Sequence, residues 1–174
     1  MTMHESSLHT ATSWDEGGEL EVVTFDLGPD TFALEAAMVR EILDPLPETP
    51  VPGASPLVGS VVNFRGKIIP IADLRRAFGL GEAAATADSR VIVIELDAAG
   101  EPLQFGLRTD KVHEVATLSR DASEAPPAVG MRWRRDYVRE LVRRGDDVVV
   151  LPDLSAIFQP LLGNGDAPLP ATLH

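Results

Sequence analysis

The sequence contains no cysteine. Disulfides, thiolate nucleophiles, Cys-ligated zinc and iron–sulfur clusters are therefore excluded, and a reducing compartment fits. Basic residues are scarce: 15 Lys and Arg stand against 27 Asp and Glu, a net charge of −12 over 174 residues. A protein that neutralises nucleic-acid phosphates needs the opposite balance, so general nucleic-acid binding is disfavoured. No run of 18 apolar residues is present, and residues 1–18 lack the basic start and apolar stretch of a secretory signal. The expectation is a soluble, cytoplasmic protein without direct membrane insertion. Histidine is thin as well: His4, His9 and His174 lie in the terminal segments, and only His113 falls in a predicted strand. It alternates with Val112 and Val115, which puts it on an outward, solvated face. No nucleophile elbow, Gly-rich phosphate loop or metal-ligand spacing accompanies it. The expectation is no enzyme, no cofactor and no metal.

What the chain does have is a series of short β-branched runs. Glu21–Leu27, Val58–Val62, Lys67–Ile71, Arg90–Leu96, Leu103–Leu107, Val112–Thr117 and Asp147–Leu151 read as strands. Turn signals separate them at Gly28-Pro29-Asp30, Arg65-Gly66, Ala99-Gly100 and Arg144-Gly145. The proline-studded connection Asp44–Pro56 cannot be a regular central strand. Helical segments are brief, Ala72–Gly79 and Leu154–Leu162, and Trp133–Arg143 is ambiguous between helix and strand.

The chain also repeats itself once. Val22-Val23-Thr24-Phe25-Asp26-Leu27 matches Val91-Ile92-Val93-Ile94-Glu95-Leu96 at an offset of 69, including the acid before the final Leu. Phe32-Ala33-Leu34 and Val39-Arg40-Glu41-Ile42 return as Phe105-Gly106-Leu107 and Val112-His113-Glu114-Val115 at an offset of 73. Ile68 to Phe78 returns as Val148 to Phe158, with Asp73-Leu74 becoming Asp153-Leu154, at an offset of 80. The growing offset marks loop insertions in the second copy. A unit of about 70 residues buries little surface alone, so two such units are expected to share a core.

The segment Arg132–Arg144 holds six of the fifteen basic residues, interleaved with Trp133 and Tyr137. Arg-rich ribbons with aromatics can track a phosphate backbone and stack on bases, which makes a nucleic-acid-binding small barrel the alternative reading. The competing reading is a solvated face paired with carboxylates, since Asp136, Glu140, Asp146 and Asp147 share the stretch. An acidic protein partner is a further possibility.

The segment from Gly59 to Leu74, with Asn63-Phe64-Arg65-Gly66-Lys67-Ile68-Ile69-Pro70-Ile71-Ala72-Asp73-Leu74 at its heart, reads as a hairpin. Gly66 suits a positive-φ turn position, Pro70 an edge, and Asp73 the cap of a short helix. With the Phe-x-Leu and Val-x-Glu-Ile strand segments and the loop prolines Pro50 and Pro52, this run resembles the CheW-like family, the coupling proteins of bacterial chemotaxis. The resemblance covers roughly Glu19 to Leu162.

The resemblance implies a mainly β fold of two five-stranded SH3-like β-barrel subdomains, packed over a common core, with short helices and no catalytic site. The division it implies is a disordered tail over 1–18, a single domain over 19–162, and a flexible tail over 163–174. Within the domain, subdomain 1 covers about 19–82 and subdomain 2 about 88–162, with the last helix packing back. Family members bridge transmembrane chemoreceptors and a CheA-type histidine kinase. Carried onto this sequence, the receptor-binding residues are Val39, Glu41, Gly59, Asn63, Arg65 and Ile68, and the kinase-binding residues Met131, Tyr137 and Val138. For each receptor-side residue an architectural role competes: Val39 and Ile68 as core, Gly59 as a close-approach glycine, and Glu41 with Arg65 as an ion pair pinning the hairpin. The implied partners are the cytoplasmic tips of chemoreceptors and the kinase's regulatory domain, in arrays that can include adaptor–adaptor or adaptor–kinase rings. In the family the strand near Tyr137 usually runs into a glycine echoing Gly59, and Tyr137-Val138-Arg139-Glu140-Leu141 has none.

Overall fold

The computed structural model describes residues 12–98, 100–127, 130 and 133–162. Its chain order is β1 (Glu19–Leu27), β2 (Asp30–Glu35), β3 (Val39–Leu43), β4 (Thr49–Pro50), β5 (Ser60–Phe64), β6 (Lys67–Ala72) and α1 (Leu74–Ala77). Then follow β7 (Arg90–Ala98), β8 (Glu101–Thr109), β9 (Lys111–Ser119), β10 (Ser123–Glu124), β11 (Val138–Arg144), β12 (Asp147–Pro152) and α2 (Leu154–Leu162). The ambiguous segment resolves into one 3-10 turn, Arg135–Tyr137, running into β11. The predicted helix Ala72–Gly79 is shorter, because Ala72 completes β6 and Asp73 caps the turn by accepting a hydrogen bond from the Arg75 N–H. The proline-rich connection contributes only the two-residue β4, at a sheet edge.

Among the described residues, twelve strands form two sheets, ordered β10-β11-β12-β2-β1-β9 and β3-β7-β8-β6-β5-β4. Replace each strand by its counterpart six positions along the chain and one order becomes the other reversed, so the sequence repeat is a structural one. The register agrees too. In the parallel pairings Ile71 lies opposite Gly106, and Val149 and Val150 opposite Thr31 and Phe32, which the offsets of 73 and 80 make equivalent alignments.

Two features of the strand pairing refine these expectations. The sheets do not close into barrels among the described pairings, and each has six strands, five long ones plus a two-residue edge strand. Nor do the sheets coincide with the two halves of the sequence. Strands β1 and β2 leave the first copy to lie beside β9 and β12, while β7 and β8 leave the second to lie beside β3 and β6. The physical cause is the short β2–β3 and β8–β9 connections, a 3-10 turn at Ala36–Met38 and the single residue Asp110, which send the chain into the other sheet instead of back along its own.

The exchanged strands build the common core. Phe25, Leu27, Phe32 and Leu34 from β1 and β2 meet Ile92, Ile94, Phe105 and Leu107 from β7 and β8, closed by Leu74, Phe78, Leu154, Ile157 and Phe158. Full burial of a Phe or Leu side chain contributes about 1.5–3 kcal/mol, so these residues dominate the drive to fold. Each sheet also wraps a smaller cluster of its own: Leu20, Val22, Leu118, Val142, Val149 and Leu151 in one, Val62, Ile69, Ile71, Val91 and Val93 in the other. Gly106 is required in β8 by close approach, since a Cβ there would sit 2.6 Å from Ile71 Cδ1 and 2.8 Å from Val91 Cγ1. Pro70 is buried within β6 at a point where β8 has not yet joined, which is how an interior strand tolerates it.

Part of the segment expected as an N-terminal tail is packed. Trp14 lies against the Leu20–Leu118 cluster and its indole N–H donates to Glu140 at 3.3 Å, while the Thr12 hydroxyl donates to the same carboxylate. An amphipathic ring next to an apolar sheet end and a buried-side acceptor supplies the reason. Residues 1–11 and 163–174 lie outside the described residues, as do Met131 and Arg132.

Candidate protein-interaction site

The hairpin of β5 and β6 turns at Arg65-Gly66, with φ of 53° and 79°. Two consecutive positive φ values are the two-residue turn whose twist matches antiparallel strands, and Asn-Gly or Gly-Gly fits it at least cost. Arg65 is the one non-glycine residue at positive φ among the described residues. Asn63 steadies the turn by accepting the Gly66 N–H on Oδ1 at 2.9 Å, which places its side chain in an architectural role. The Arg65 guanidinium sits 4.6 Å above the Phe64 ring and 3.4 Å from Glu41 Oε2, with 72% of its side chain exposed.

Glu41 belongs to β3, at the far edge of the sheet from β5 and β4. An ion pair from that edge to the hairpin tip shows how strongly the sheet curls. Beside it, Ile42 and Ile68 stand 43% and 45% exposed, while Val39 is half-buried against the common core. The structure thus brings Glu41, Asn63, Arg65 and Ile68 to one place around the hairpin tip. It does not bring Gly59 there. Gly59 directly precedes the other end of β5, six residues or roughly 20 Å of chain away at about 3.3 Å per residue.

At that other end the geometry is different. Glu48 accepts hydrogen bonds from Ser60 Oγ at 2.6 Å and from two guanidinium nitrogens of Arg108, which also reaches Asp73 at 3.2 Å. Burial opposes charge on Glu48, but the bonds from Arg108 and Ser60 and the guanidinium's charge together outweigh it and hold the carboxyl below its ordinary value. Arg108 is raised correspondingly, chiefly by its bond to Glu48.

The second copy repeats the tip arrangement, which sequence reasoning missed. Glu114 on β9 pairs with Arg144 on the β11–β12 hairpin at 3.2 Å, flanked by exposed Val115 and Val148. These are the counterparts of Glu41, Ile42 and Ile68 at offsets of 73 and 80. The four exposed large apolar residues described are therefore two equivalent pairs. The acid before the final Leu recurs with a purpose as well: Asp26 pairs with His113 at 2.9 Å and Glu95 with Arg40 at 3.3 Å, each tying a core strand to the edge strand beside it.

On the kinase side, Tyr137 is half-buried, edge-on to Phe78 at 6.4 Å and covered by the Arg134 guanidinium at 4.5 Å. Val138 is only 4% exposed and its side chain belongs to the common core, so it offers a partner no side-chain contact. Met131 lies outside the described residues. Among the arginines of the basic stretch, Arg134 pairs with Asp136, Arg139 with Glu35, Arg143 with Glu124 and Arg144 with Glu114. Arg135 donates to the Pro126 carbonyl. These described arginines form a paired face, mostly satisfied by carboxylates from other strands, rather than an open cationic track.

Comparison with known proteins agrees with this geometry. The CheW-like domain model matches residues 21–161. The chain is 27% identical over 157 residues to the chemotaxis protein CheW of Treponema pallidum, covering 90% of this chain and 91% of that one. It is 28% identical over 141 residues to CheW of Rhizobium meliloti, covering 81% and 88%. The crystal structure of the scaffolding protein TtCheW from Thermoanaerobacter tengcongensis superposes with a TM-score of 0.71 at 29% identity, covering 80% of this chain and 92% of that one. The duplicated, exchanged pair of sheets is the fold shared with a CheW scaffold, and the chain belongs to the CheW-like family of chemotaxis scaffold proteins, which are non-enzymatic.

Proposed function

We propose that this chain couples chemoreceptors to a CheA-type histidine kinase, working in the cytoplasm and recruited to membrane-bound receptor arrays. Its output is the geometry of the complex: receptor state biases kinase conformation through differential contacts, which is a coupling free energy between two binding surfaces. The receptor-side surface is the hairpin tip, with Arg65, Glu41 and Ile68 as contacts, Val39 behind them and Asn63 holding the turn. Gly59 belongs to the same hairpin from its other end. The kinase's regulatory domain takes the surface around Tyr137, with Met131 as a further contact. Each sheet, curled by its edge-to-tip ion pair, acts as one SH3-like barrel, and the equivalence of the two faces suits alternating adaptor–kinase or adaptor–adaptor rings.

The observation that carries this reading is Arg65 itself. A long cation held at φ 53°, where Asn or Gly would cost less, is backbone strain kept for something other than stability. An exposed ion pair is worth only about 0–1 kcal/mol, too little to explain it.

The test is co-sedimentation of the purified chain with receptor-containing membranes, with and without kinase. Retention by both partners, weakened by Arg65→Ala per folded molecule, is expected. Retention by neither partner overturns the reading.

A further inference from the structure

Duplication makes each copy a control for the other, and at one place they differ sharply. In the sheet containing β11, the segment Thr12–Trp14 fills the sheet end. Trp14 lies on the apolar cluster and bonds Glu140, the Ser13 N–H reaches Glu35 at 3.4 Å, and Arg139 closes the site with its pair to Glu35 at 3.2 Å, both side chains 15% exposed. The offsets give every counterpart in the other sheet: Ala83 for Trp14, Gly59 for Arg139, Ser60 for Glu140 and Arg108 for Glu35. The hydroxyl–carboxylate bond survives with its partners exchanged, Ser60 to Glu48 in place of Ser123 to Glu140. The two large groups do not survive. Indole has become a methyl and guanidinium a hydrogen.

What remains is a cavity of about 380 Å³ between Gly59, Ser60, Ala83, Pro50, Pro56 and Arg108, within the range of about 300–1,000 Å³ usual for ligand pockets. We infer that this cavity is a socket for one aromatic side chain, an indole above all, presented on an extended segment of a partner protein. The walls suit that occupant. Two proline rings offer apolar surfaces, and Arg76, paired with Glu82, and Arg108, paired with Glu48 and Asp73, bring guanidinium faces for cation–π contact. Glu48, which already accepts from Ser60 and Arg108, can add an indole N–H as Glu140 does beside its bonds from Thr12 and Ser123. Tryptophan, with tyrosine and arginine, is enriched among the side chains that carry the binding energy of protein interfaces. The socket lies at the opposite end of β5 from Arg65, and neither receptor nor kinase is needed to test it, so its failure is distinct from failure of the coupling reading.

The probe is the peptide Thr12-Ser13-Trp14-Asp15-Glu16-Gly17-Gly18, titrated into the isotopically labelled full chain while backbone amides are followed by NMR. Saturable shifts at Gly59, Ser60 and Ala83 are expected, absent for the same peptide with Trp14→Ala. Ala83→Trp, which supplies the indole from within, is expected to weaken peptide binding at least tenfold and to raise the melting temperature. Gly59→Arg, copying Arg139, gives an independent block if the first variant misfolds. No shift at these three amides, shifts confined to Ser123 and Glu140, or undiminished binding by a folded blocked variant each overturns the proposal.

Discussion

Phe105 on β8 stacks on Phe158 of α2, with ring centroids 4.9 Å apart and planes 4° from parallel. Phe32 and Phe78, their counterparts, meet at the same 4.9 Å with a 54° tilt. In each pair one ring rides on a strand that has crossed to the other sheet, and the partner ring follows the last strand of the sheet that stayed. The two pairs are the rivets of the exchange.

Removing a rivet is costly. Phe105→Ala and Phe32→Ala are each expected to destabilise the protein by about 3–5 kcal/mol, the usual range for emptying a core aromatic site. Urea unfolding checks this, and one cooperative transition is expected in each case, because both sheets share the core that is damaged.

Gly106→Val tests the close approach at the parallel seam. Its new side chain would start 2.6 Å from Ile71 Cδ1 and 2.8 Å from Val91 Cγ1, so those chains must shift. A loss of about 1–3 kcal/mol is expected, as for other overpacked sites. Ala33, the counterpart position in β2, already carries a Cβ, so Ala33→Gly is expected to cost less than Gly106→Val in the same assay.

Arg65→Asn separates strain from contact. Asn accepts positive φ at the turn more cheaply than Arg, so the folded protein is expected to be as stable as the wild type or a few tenths of a kcal/mol more so. Receptor recruitment in the co-sedimentation assay is expected to fall, since the guanidinium has gone. A variant that loses both stability and recruitment would make Arg65 an architectural residue.

Glu48 sets an acid limit. Its folded carboxyl lies below the ordinary value of 4.5, so its bonds contribute stability that is fully present above that value and is lost as pH falls through the folded one. Glu48→Gln is expected to lower the urea midpoint near pH 7 and to flatten its decline as pH falls below 4.5. Equal slopes for variant and wild type in that range would mean that the Arg108 bond does not discriminate between charge states.

Much of this was legible in the chain. The acid before the final Leu of the first matched run, the Phe-x-Leu pair and Asp73-Leu74 against Asp153-Leu154 marked the duplication, and Gly66 marked the hairpin tip. Strand exchange was not legible, because it is decided at Ala36–Met38 and at Asp110, connections too short to carry a pattern. The second ion pair escaped for a different reason. Arg144 aligns with Phe64 at an offset of 80, so the basic residue at the tip is one position displaced and only the fold shows that both arginines reach the same glutamate position. Trp14 was hidden by its polar neighbours, which read as tail until an apolar sheet end and Glu140 are placed beside it. Val138 came from the resemblance alone, and strand alternation beside an outward Tyr137 already turns its side chain toward the shared core where the fold places it.

The exchange of strands also decides how the molecule carries load. A hinge needs a seam that few bonds cross, and here the copies meet along four ladders, parallel between β12 and β2 and between β6 and β8, antiparallel between β1 and β9 and between β3 and β7. A pull applied at one hairpin tip is borne by strands in shear and by clamped aromatic rings, with no linker to take up slack. An object built this way is expected to act as a stiff spacer, keeping its two faces at a fixed distance and orientation.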